Sequence, residues 1–229
     1  GLAIVEDAAE ALGAEIEGRP VGNWGRAATF SFFGNKIVAT GEGGMVVTDD
    51  AALADRVRRL RGQGVDPQRR YWHDTLGYNF RLTNLAAAIG VAQMERLDAF
   101  LAARRRIANW YRRELASVPG LTLPTERTGA RHAYWMYTVL APPQVDRDAL
   151  MRRLADAGIE TRPVFYPLHE LPVHQGARTD RDCPVARAVA RCGVSLPTYT
   201  ELTAHDVAFI SAALRDALES LAPQRRRAA

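Results

Sequence analysis

The chain has 229 residues, 47% apolar and 24% charged, which is typical of a folded protein with one large domain or two smaller ones. Its 30 basic and 26 acidic residues leave a charge of +4, too mild and too dispersed to indicate nucleic-acid binding. Two cysteines argue against a disulfide framework and favour a reducing compartment, so we expect a cytoplasmic protein. The longest apolar run, 85–92, is far too short to span a membrane.

The chain opens with an apolar run, Leu2–Val5, followed by the acids Glu6 and Asp7. A continuous apolar run is typical of a parallel strand that is covered on both faces and paired on both edges. Because only two later segments can supply neighbours, we expect the C-terminal part of a longer protein whose first strands are absent. A carboxylate at this strand end can hold a positive charge on a ligand. Asp7 could equally cap a short helix over Ala8–Leu12.

A second strand is predicted over Thr29–Phe33, and the Gly34-Asn35 dipeptide ends it. The next residue, Lys36, then lies at the rim of a sheet, where α/β proteins place their chemistry. A partly desolvated lysine amine can act as a nucleophile, which makes Lys36 the leading candidate for a Schiff-base lysine. The alternative is a solvated loop lysine. Three glycines follow between positions 41 and 44.

After the glycines, residues 45–48 alternate like an exposed edge strand or a paired strand, and Asp49 and Asp50 are placed to cap an amphipathic helix over Ala51–Leu60. The next segment, 61–78, has no periodicity and mixes arginines with aromatic residues. Such a segment suits a phosphate-bearing or aromatic ligand, and an interface between subunits explains it equally well.

One long helical pattern runs from Arg81 to Ser117 and is expected to bridge two domains. We therefore assign residues 1–100 to part of a large domain and 101–229 to a small α+β domain. The small domain is predicted to contain strands at 121–123, 134–140 and 159–162 and helices at 146–157, 184–192 and 203–221.

The sequence contains no metal-binding Cys/His cluster, no GxxxxGK phosphate loop and no GxSxG motif. It does contain an acid at one strand end, a lysine at the next, and glycines beside the lysine. These residues match what pyridoxal phosphate chemistry requires, which is a partner for the electron-accepting ring, an amine for the aldehyde and space for the phosphate.

Five motifs resemble the DegT/DnrJ/StrS family of sugar-nucleotide aminotransferases, which are fold-type I pyridoxal phosphate enzymes. They are EDAAEALGA (Glu6–Ala14), FSFFGNK (Phe30–Lys36), TGEGGMVVT (Thr40–Thr48), GYNFRLTNLAAAIGVAQME (Gly77–Glu95) and GIETRPVFYPLH (Gly158–His169). The resemblance extends to about Leu221. It implies an α/β fold like that of aspartate aminotransferase, here the C-terminal part of a mostly parallel large-domain sheet followed by a small α+β domain.

The resemblance also implies a set of residues that bind pyridoxal 5′-phosphate. Lys36 would form the Schiff base, and Asp7 would pair with the pyridinium nitrogen. Ser31 would hydrogen-bond the phosphate, and Asn79 would reach the phosphate bound in a neighbouring subunit, which implies a homodimer with shared sites. Glu10 would lie near the ring hydroxyl, where many relatives have glutamine or histidine. The alternatives are a strand hydroxyl for Ser31 and a helix cap for Asn79.

The substrate residues implied by the resemblance are His132, Trp135, Arg162, Tyr166 and His169. For Trp135 and Tyr166, packing in the core is the alternative. The implied activity is transfer of an amino group from L-glutamate to the 4-ketone of GDP-4-keto-6-deoxymannose, for surface polysaccharide. Lys36 would serve as covalent tether and then as general base and acid. A related branch that dehydrates its sugar carries histidine at this position, so Lys36 argues against it.

Two alternatives to this activity remain open. One keeps the enzyme but changes the substrate to a UDP- or dTDP-linked keto sugar. The other is a non-catalytic remnant that retains the dimer surface. The family's N-terminal part, with a phosphate-binding turn and an aromatic ring that stacks on the cofactor, has no counterpart before Gly1. We therefore expect this chain to retain cofactor weakly and to have little activity.

Overall fold

The computed structural model describes residues 1–174 and 183–222, and this part of the chain divides into two compact units. The first unit is Gly1–Ala102 together with Glu126–Trp135. The second contains the described residues of Ala103–Thr125 and Met136–Ala229. The division into a large and a small domain at residue 100 stays a prediction.

A three-stranded sheet forms the centre of the first unit. Its elements in chain order are β1 (Val5–Asp7), β2 (Glu15–Ile16), β3 (Arg19–Pro20), β4 (Ala27–Ser31), β5 (Gly44–Val47), α1 (Ala51–Arg61), α2 (Asn84–Met94), the start of α3 (Leu97–Leu115) and β6 (Ala130–Arg131). The order in the central sheet is β1-β4-β5, with β1 and β4 parallel and β4 and β5 antiparallel. A smaller sheet has the order β3-β2-β6.

The first strand is not the buried strand that the opening apolar run predicts. Strand β1 begins only at Val5, and the side chains of Leu2 and Val5 are 96% and 67% exposed. Among the described strands, β1 pairs with β4 alone, so it is an edge strand. The apolar run therefore lies on the surface of the described structure.

The residues after Asp7 form successive turns, so the short helix over 8–12, which belonged to the alternative reading of Asp7 as a cap, is absent. The amide of Ala11 donates to the carbonyl of Ala8, and the amide of Ala14 donates to the carbonyl of Ala11, each spanning three residues. Gly13 has a φ of +82°, which an α-helix does not allow.

The long helix predicted from residue 81 to 117 is divided into α2 and α3 at Glu95 and Arg96. The amide of Arg96 donates to the carbonyl of Gln93, a tighter three-residue bond that ends the first helix. Neither proline nor glycine lies at the break, so the sequence carries no local signal for it. Thr83 caps α2 by accepting a hydrogen bond from the amide of Ala86.

The second unit is built on an antiparallel sheet with the order β7-β9-β8. Its elements are the rest of α3, β7 (Tyr137–Leu140), α4 (Arg147–Asp156), β8 (Arg162–Pro163), two 3₁₀ turns (Leu168–Glu170 and Pro172–His174), α5 (Pro184–Cys192), β9 (Gly193–Leu196) and α6 (Ala204–Leu221). All four residues of β9 are buried, and the sequence interpretation missed this central strand. Strand β7 begins later than predicted because Tyr134 adopts a φ of +52°.

The predicted helices α4, α5 and α6 are confirmed. Asp146 caps α4, and Thr203 and Asp206 form a capping box at the start of α6. The segment predicted as a strand at 121–123 contributes a single bridge between Thr122 and Leu140. None of the helices in the described ranges is both long enough and apolar enough to traverse a lipid bilayer.

Candidate active site

The amine of Lys36 lies in a recess between a carboxylate and an aromatic ring. The amide of Lys36 donates to the carbonyl of Phe33 at 2.9 Å, which closes the turn that follows β4. Its side chain is only 12% exposed. The Nζ atom lies 3.8 Å from Oε1 of Glu10 and 3.8 Å from the centroid of the Trp135 ring. Lys36 is therefore not a solvated loop lysine.

Lys36 is also the only lysine of the chain, since every other basic residue among the 30 is an arginine. This feature can be read directly from the sequence. An amine-directed reagent or an aldehyde therefore has one side-chain target in this protein, apart from the terminal amino group.

The glycine cluster brings the loop that carries Lys36 back onto the end of β4. The amide of Phe32 donates to the carbonyl of Gly43 at 2.9 Å, and the amide of Thr40 donates to the carbonyl of Phe32 at 2.8 Å. A Cβ atom on Gly44 would lie 2.7 Å from the carbonyl oxygen of Phe30, closer than real Cβ contacts occur. Glycine is required here because the backbone of the neighbouring strand β4 lies too close for a Cβ atom.

The two acids at the end of β1 have different tasks. The carboxylate of Glu6 accepts three backbone N–H groups, from Gly22 at 2.8 Å and from Trp24 and Gly25 at 2.7 Å. Burial raises the pKa of Glu6, but the hydrogen bonds outweigh burial and hold its pKa below the ordinary value. Glu6 thus fixes the loop that leads into β4, a role that the sequence interpretation missed.

Asp7 is the acid at the carboxyl end of β1. It lies in register with Thr29 of the parallel neighbour β4, two residues before Ser31, so both side chains belong to the carboxyl ends of adjacent strands. Its Oδ1 accepts one hydrogen bond, from the amide of Ala9 at 3.1 Å, and the residue is exposed. This local turn replaces the helix cap that was the alternative for Asp7.

The other two residues predicted to contact the cofactor are Ser31, at the end of β4, and Asn79, between α1 and α2. Ser31 ends β4, is half-buried, and its hydroxyl accepts a hydrogen bond from the amide of Phe33 at 3.3 Å. Asn79 is exposed and pairs its backbone with Gly62. Because Thr83 is the residue that caps α2, the helix-cap alternative for Asn79 is wrong.

Trp135 and His132 reach the first unit through the segment 126–135. Trp135 is 8% exposed, and its indole Nε1 donates to the carbonyl of Asn35 at 2.8 Å. The side-chain oxygen of Asn35 is buried and has no hydrogen-bond partner in the described part of the chain. His132 is exposed, and its Nδ1 accepts a hydrogen bond from the amide of Tyr134 at 2.7 Å.

The remaining predicted substrate residues lie in the second unit. Arg162 begins β8, and its guanidinium lies 3.9 Å from Glu160. Tyr166 is 64% exposed, so packing in the core is wrong for this residue. His169 lies in a 3₁₀ turn, and its Nε2 is buried 3.9 Å from the carboxylate of Glu170. A substrate role for these three residues stays a prediction.

Comparison with known proteins places this geometry in one family. The model of the DegT/DnrJ/EryC1/StrS aminotransferase family matches residues 1–215. A GDP-perosamine synthase of Caulobacter vibrioides is 48% identical over 95% of this chain and 59% of its own length. A GDP-perosamine synthase of Escherichia coli O157:H7 is 42% identical over 94% of this chain and 58% of its own length.

Relatives with other names and solved structures also match. A UDP-N-acetyl-3-dehydro-α-D-glucosamine 3-aminotransferase of Acidithiobacillus ferrooxidans is 38% identical over 95% of this chain and 58% of its own length. The crystal structure of the aminotransferase TlmJ from Streptoalloteichus hindustanus matches with a TM-score of 0.89 at 32% identity, over 97% of this chain and 60% of that one. The crystal structure of DesV from S. venezuelae matches with a TM-score of 0.87 at 35% identity, over 96% of this chain and 58% of that one. The chain thus spans about three fifths of the length of these proteins, and its expected mixed α/β fold is confirmed.

Proposed function

Since the chain belongs to the DegT/DnrJ/EryC1/StrS aminotransferase family, we propose that it carries the lysine-bearing part of a sugar-nucleotide aminotransferase site. The observation that carries the proposal is the enclosed amine of Lys36. It lies after the carboxyl end of β4, whose parallel neighbour β1 ends in the exposed carboxylate of Asp7. An amine and an acid at the same sheet edge suit a cofactor that has both an aldehyde and a basic ring nitrogen.

Aminotransferases of this family use pyridoxal 5′-phosphate, and the residues present fit that group. The donor set contains an amine, a carboxylate and a hydroxyl, on Lys36, Asp7 and Ser31. The buried side-chain oxygen of Asn35, next to Lys36, has no partner in the described ranges, as expected where a ligand completes the hydrogen bonds. When bound, the cofactor supplies an aldehyde that can join an amine covalently and a cationic ring that takes up electrons.

The chain's own residues then have separable tasks. Asp7 would keep a proton on the ring nitrogen, because an adjacent carboxylate favours the charged form. Ser31 would donate a hydrogen bond to a phosphate oxygen. Lys36 would hold the cofactor through Nζ, and its free amine would serve as general base and acid. The carboxylate of Glu10 lies 3.8 Å from Nζ of Lys36 and would help to keep the free amine in place.

We propose GDP-4-keto-6-deoxymannose as the sugar substrate, L-glutamate as the amino donor and GDP-perosamine as the product. Identities of 48% and 42% to two GDP-perosamine synthases support this choice. His132, Trp135, Arg162, Tyr166 and His169 are the proposed substrate residues. A UDP-linked keto sugar is the second candidate, favoured by the 38% identity to the Acidithiobacillus ferrooxidans enzyme.

We further propose a homodimer with shared sites in the cytoplasm. Asn79 is exposed on the segment between α1 and α2, where it is accessible to a second subunit. The same segment exposes the aromatic rings of Tyr71, Tyr78 and Phe80, which are 77%, 53% and 71% exposed. Exposed apolar groups of this density are typical of an interface.

The substrate is tested by incubating the chain with pyridoxal phosphate, glutamate and GDP-, UDP- or dTDP-linked 4-keto-6-deoxy sugars. Amination of the sugar and release of 2-oxoglutarate are followed by mass spectrometry, with Lys36→Met as the control. We expect the amino sugar from the GDP-linked ketone only, in low yield because this chain is expected to retain cofactor weakly. Product from the UDP-linked ketone alone would support the second candidate, and no product from any ketone would support the non-catalytic remnant.

A further inference from the structure

Trp135 contacts Asn35 and Lys36, the last two residues of the turn that presents the candidate nucleophile. Its indole N–H donates to the backbone carbonyl of Asn35 at 2.8 Å. The face of the same ring lies 3.8 Å from Nζ of Lys36. One side chain, 100 positions away along the chain from Asn35, therefore restrains the backbone before the lysine and the amine at its tip.

The short distance and the low exposure make the contact between the Lys36 amine and the Trp135 ring a strong cation–π interaction. Indole is the aromatic ring that attracts cations best, and the attraction grows when water is excluded. The side chain of Lys36 is 12% exposed and Trp135 is 8% exposed, so water competes little. Glu10 is also near the amine, but its side chain is 51% exposed. The indole is thus the more buried of these two contacts.

The segment before Trp135 is anchored in a way that fixes the position of the indole. Strand β6 pairs with β2, and Arg131 forms an ion pair with Glu15 at 2.9 Å. The amide of His132 donates to the carboxylate of Glu126 at 2.7 Å. Tyr134 is 1% exposed and has a φ of +52°, a strained value for a side chain of this size. The chain makes a costly turn immediately before the indole.

We propose that Trp135 is a positioning residue that aims the amine of Lys36. The proposal rests on the proposed function for the role of Lys36, but the contact itself does not depend on the cofactor. In this role Trp135 acts through Lys36, in addition to any contact it makes with the sugar substrate. The N–H of the indole fixes the turn, and the ring face limits the directions that the amine can take.

The first test measures the reactivity of Lys36 in the chain without cofactor. An acetylating N-hydroxysuccinimide ester is added, and the rate of labelling at the single lysine is followed by peptide mass spectrometry, with the terminal amine as internal reference. Trp135→Phe keeps a ring but loses the N–H, and Trp135→Leu loses both. Because the ring contact holds the amine in one orientation, loss of an attraction of this size should free the amine and raise the rate roughly threefold in Trp135→Phe and further in Trp135→Leu.

The matched control is Trp24→Phe, which changes an indole of the same unit that lies over Arg19. Its labelling rate at Lys36 should equal that of the unmodified protein. Equal rates in all three variants would overturn the proposal, provided that circular dichroism shows folded protein.

A second measurement does not require the Trp135 variants to fold. The chain has four tryptophans, so its ¹⁵N–¹H spectrum contains four indole signals. Replacing Lys36→Met should move one of them, the signal of the buried, hydrogen-bonded indole, and leave the other three in place. If no indole signal moves, the proposal is wrong. Neither measurement involves cofactor or substrate, so an inactive chain that shows both effects would overturn the proposed function and not the positioning role.

Discussion

Replacing Glu6 by glutamine tests whether one carboxylate holds the loop that leads into β4. Each hydrogen bond to a charged acceptor contributes about 1.5–3 kcal/mol. The glutamine oxygen can still accept from Trp24 and Gly25, but its NH₂ group then faces the N–H of Gly22. The variant loses one charge-assisted bond and weakens two. Because the carboxylate is partly exposed, water replaces part of the lost hydrogen bonding, and we expect the free energy of unfolding to fall by about 2 kcal/mol.

The assay is thermal unfolding followed by circular dichroism. A loss of this size should lower Tm by about 4–8 °C in a chain of this length. Glu15→Gln makes the same chemical change at an exposed ion pair with Arg131 and should cost less than about 1 kcal/mol. A Tm for Glu6→Gln within about 1 °C of that of Glu15→Gln would refute the reasoning.

The Glu6 carboxylate should also make the stability of the chain depend on pH. Its pKa in the folded chain lies below the ordinary 4.5, since three N–H groups favour the charged form more than burial disfavours it. The stabilisation of the folded chain by Glu6 is therefore complete above the pKa that Glu6 has in the unfolded chain. It is lost as the pH falls through the lower pKa that Glu6 has in the folded chain. The Tm difference between the unmodified chain and Glu6→Gln should shrink at acid pH. A difference that stays constant with pH would contradict this account.

Two further substitutions test the fold around the site and in the second unit. Gly77→Ala places a Cβ atom onto the backbone of Gly64, so the loop between α1 and α2 should open and trypsin should cleave it faster at Arg69 and Arg70. In the control Gly34→Ala, the new Cβ atom would lie 3.7 Å from its nearest neighbour, and trypsin should cleave the loop at the normal rate. Tyr111→Phe removes the hydroxyl that donates to the carbonyl of Pro197 at 2.9 Å, and it should lower the free energy of unfolding in urea by about 1–2 kcal/mol. The control Tyr71→Phe, at an exposed ring, should leave the free energy of unfolding unchanged.

Local signals in the sequence predicted the helices well. Asp50, Asp146 and Thr203 each cap the helix that follows them, because a side-chain oxygen can satisfy a free amide at a helix start wherever it occurs. The break between α2 and α3 has no such signal. The four-residue strand β9 was missed because its length and composition do not distinguish it from the end of the preceding helix.

The candidate site was only partly accessible from the sequence. Strand ends and glycines located Lys36 and Asp7, since both positions follow from local patterns. The contact between Trp135 and Lys36 joins residues 99 positions apart, and no local pattern encodes it. The two acids at the end of β1 look alike in the sequence. Only the three-dimensional structure shows that the loop amides at positions 22, 24 and 25 bind Glu6, which distinguishes its role from that of Asp7.

The most direct test of the central claim is covalent fixation of the cofactor at Lys36. The chain is incubated with excess pyridoxal 5′-phosphate, reduced with borohydride, cleaved after glutamate and analysed by mass spectrometry. Because Lys36 is the only lysine, we expect one reduced cofactor adduct on the peptide that contains it, and none on the same peptide from folded Lys36→Met. An adduct confined to the terminal amine, or an equal yield in Lys36→Met, would contradict the claim that this amine is the site of the chemistry.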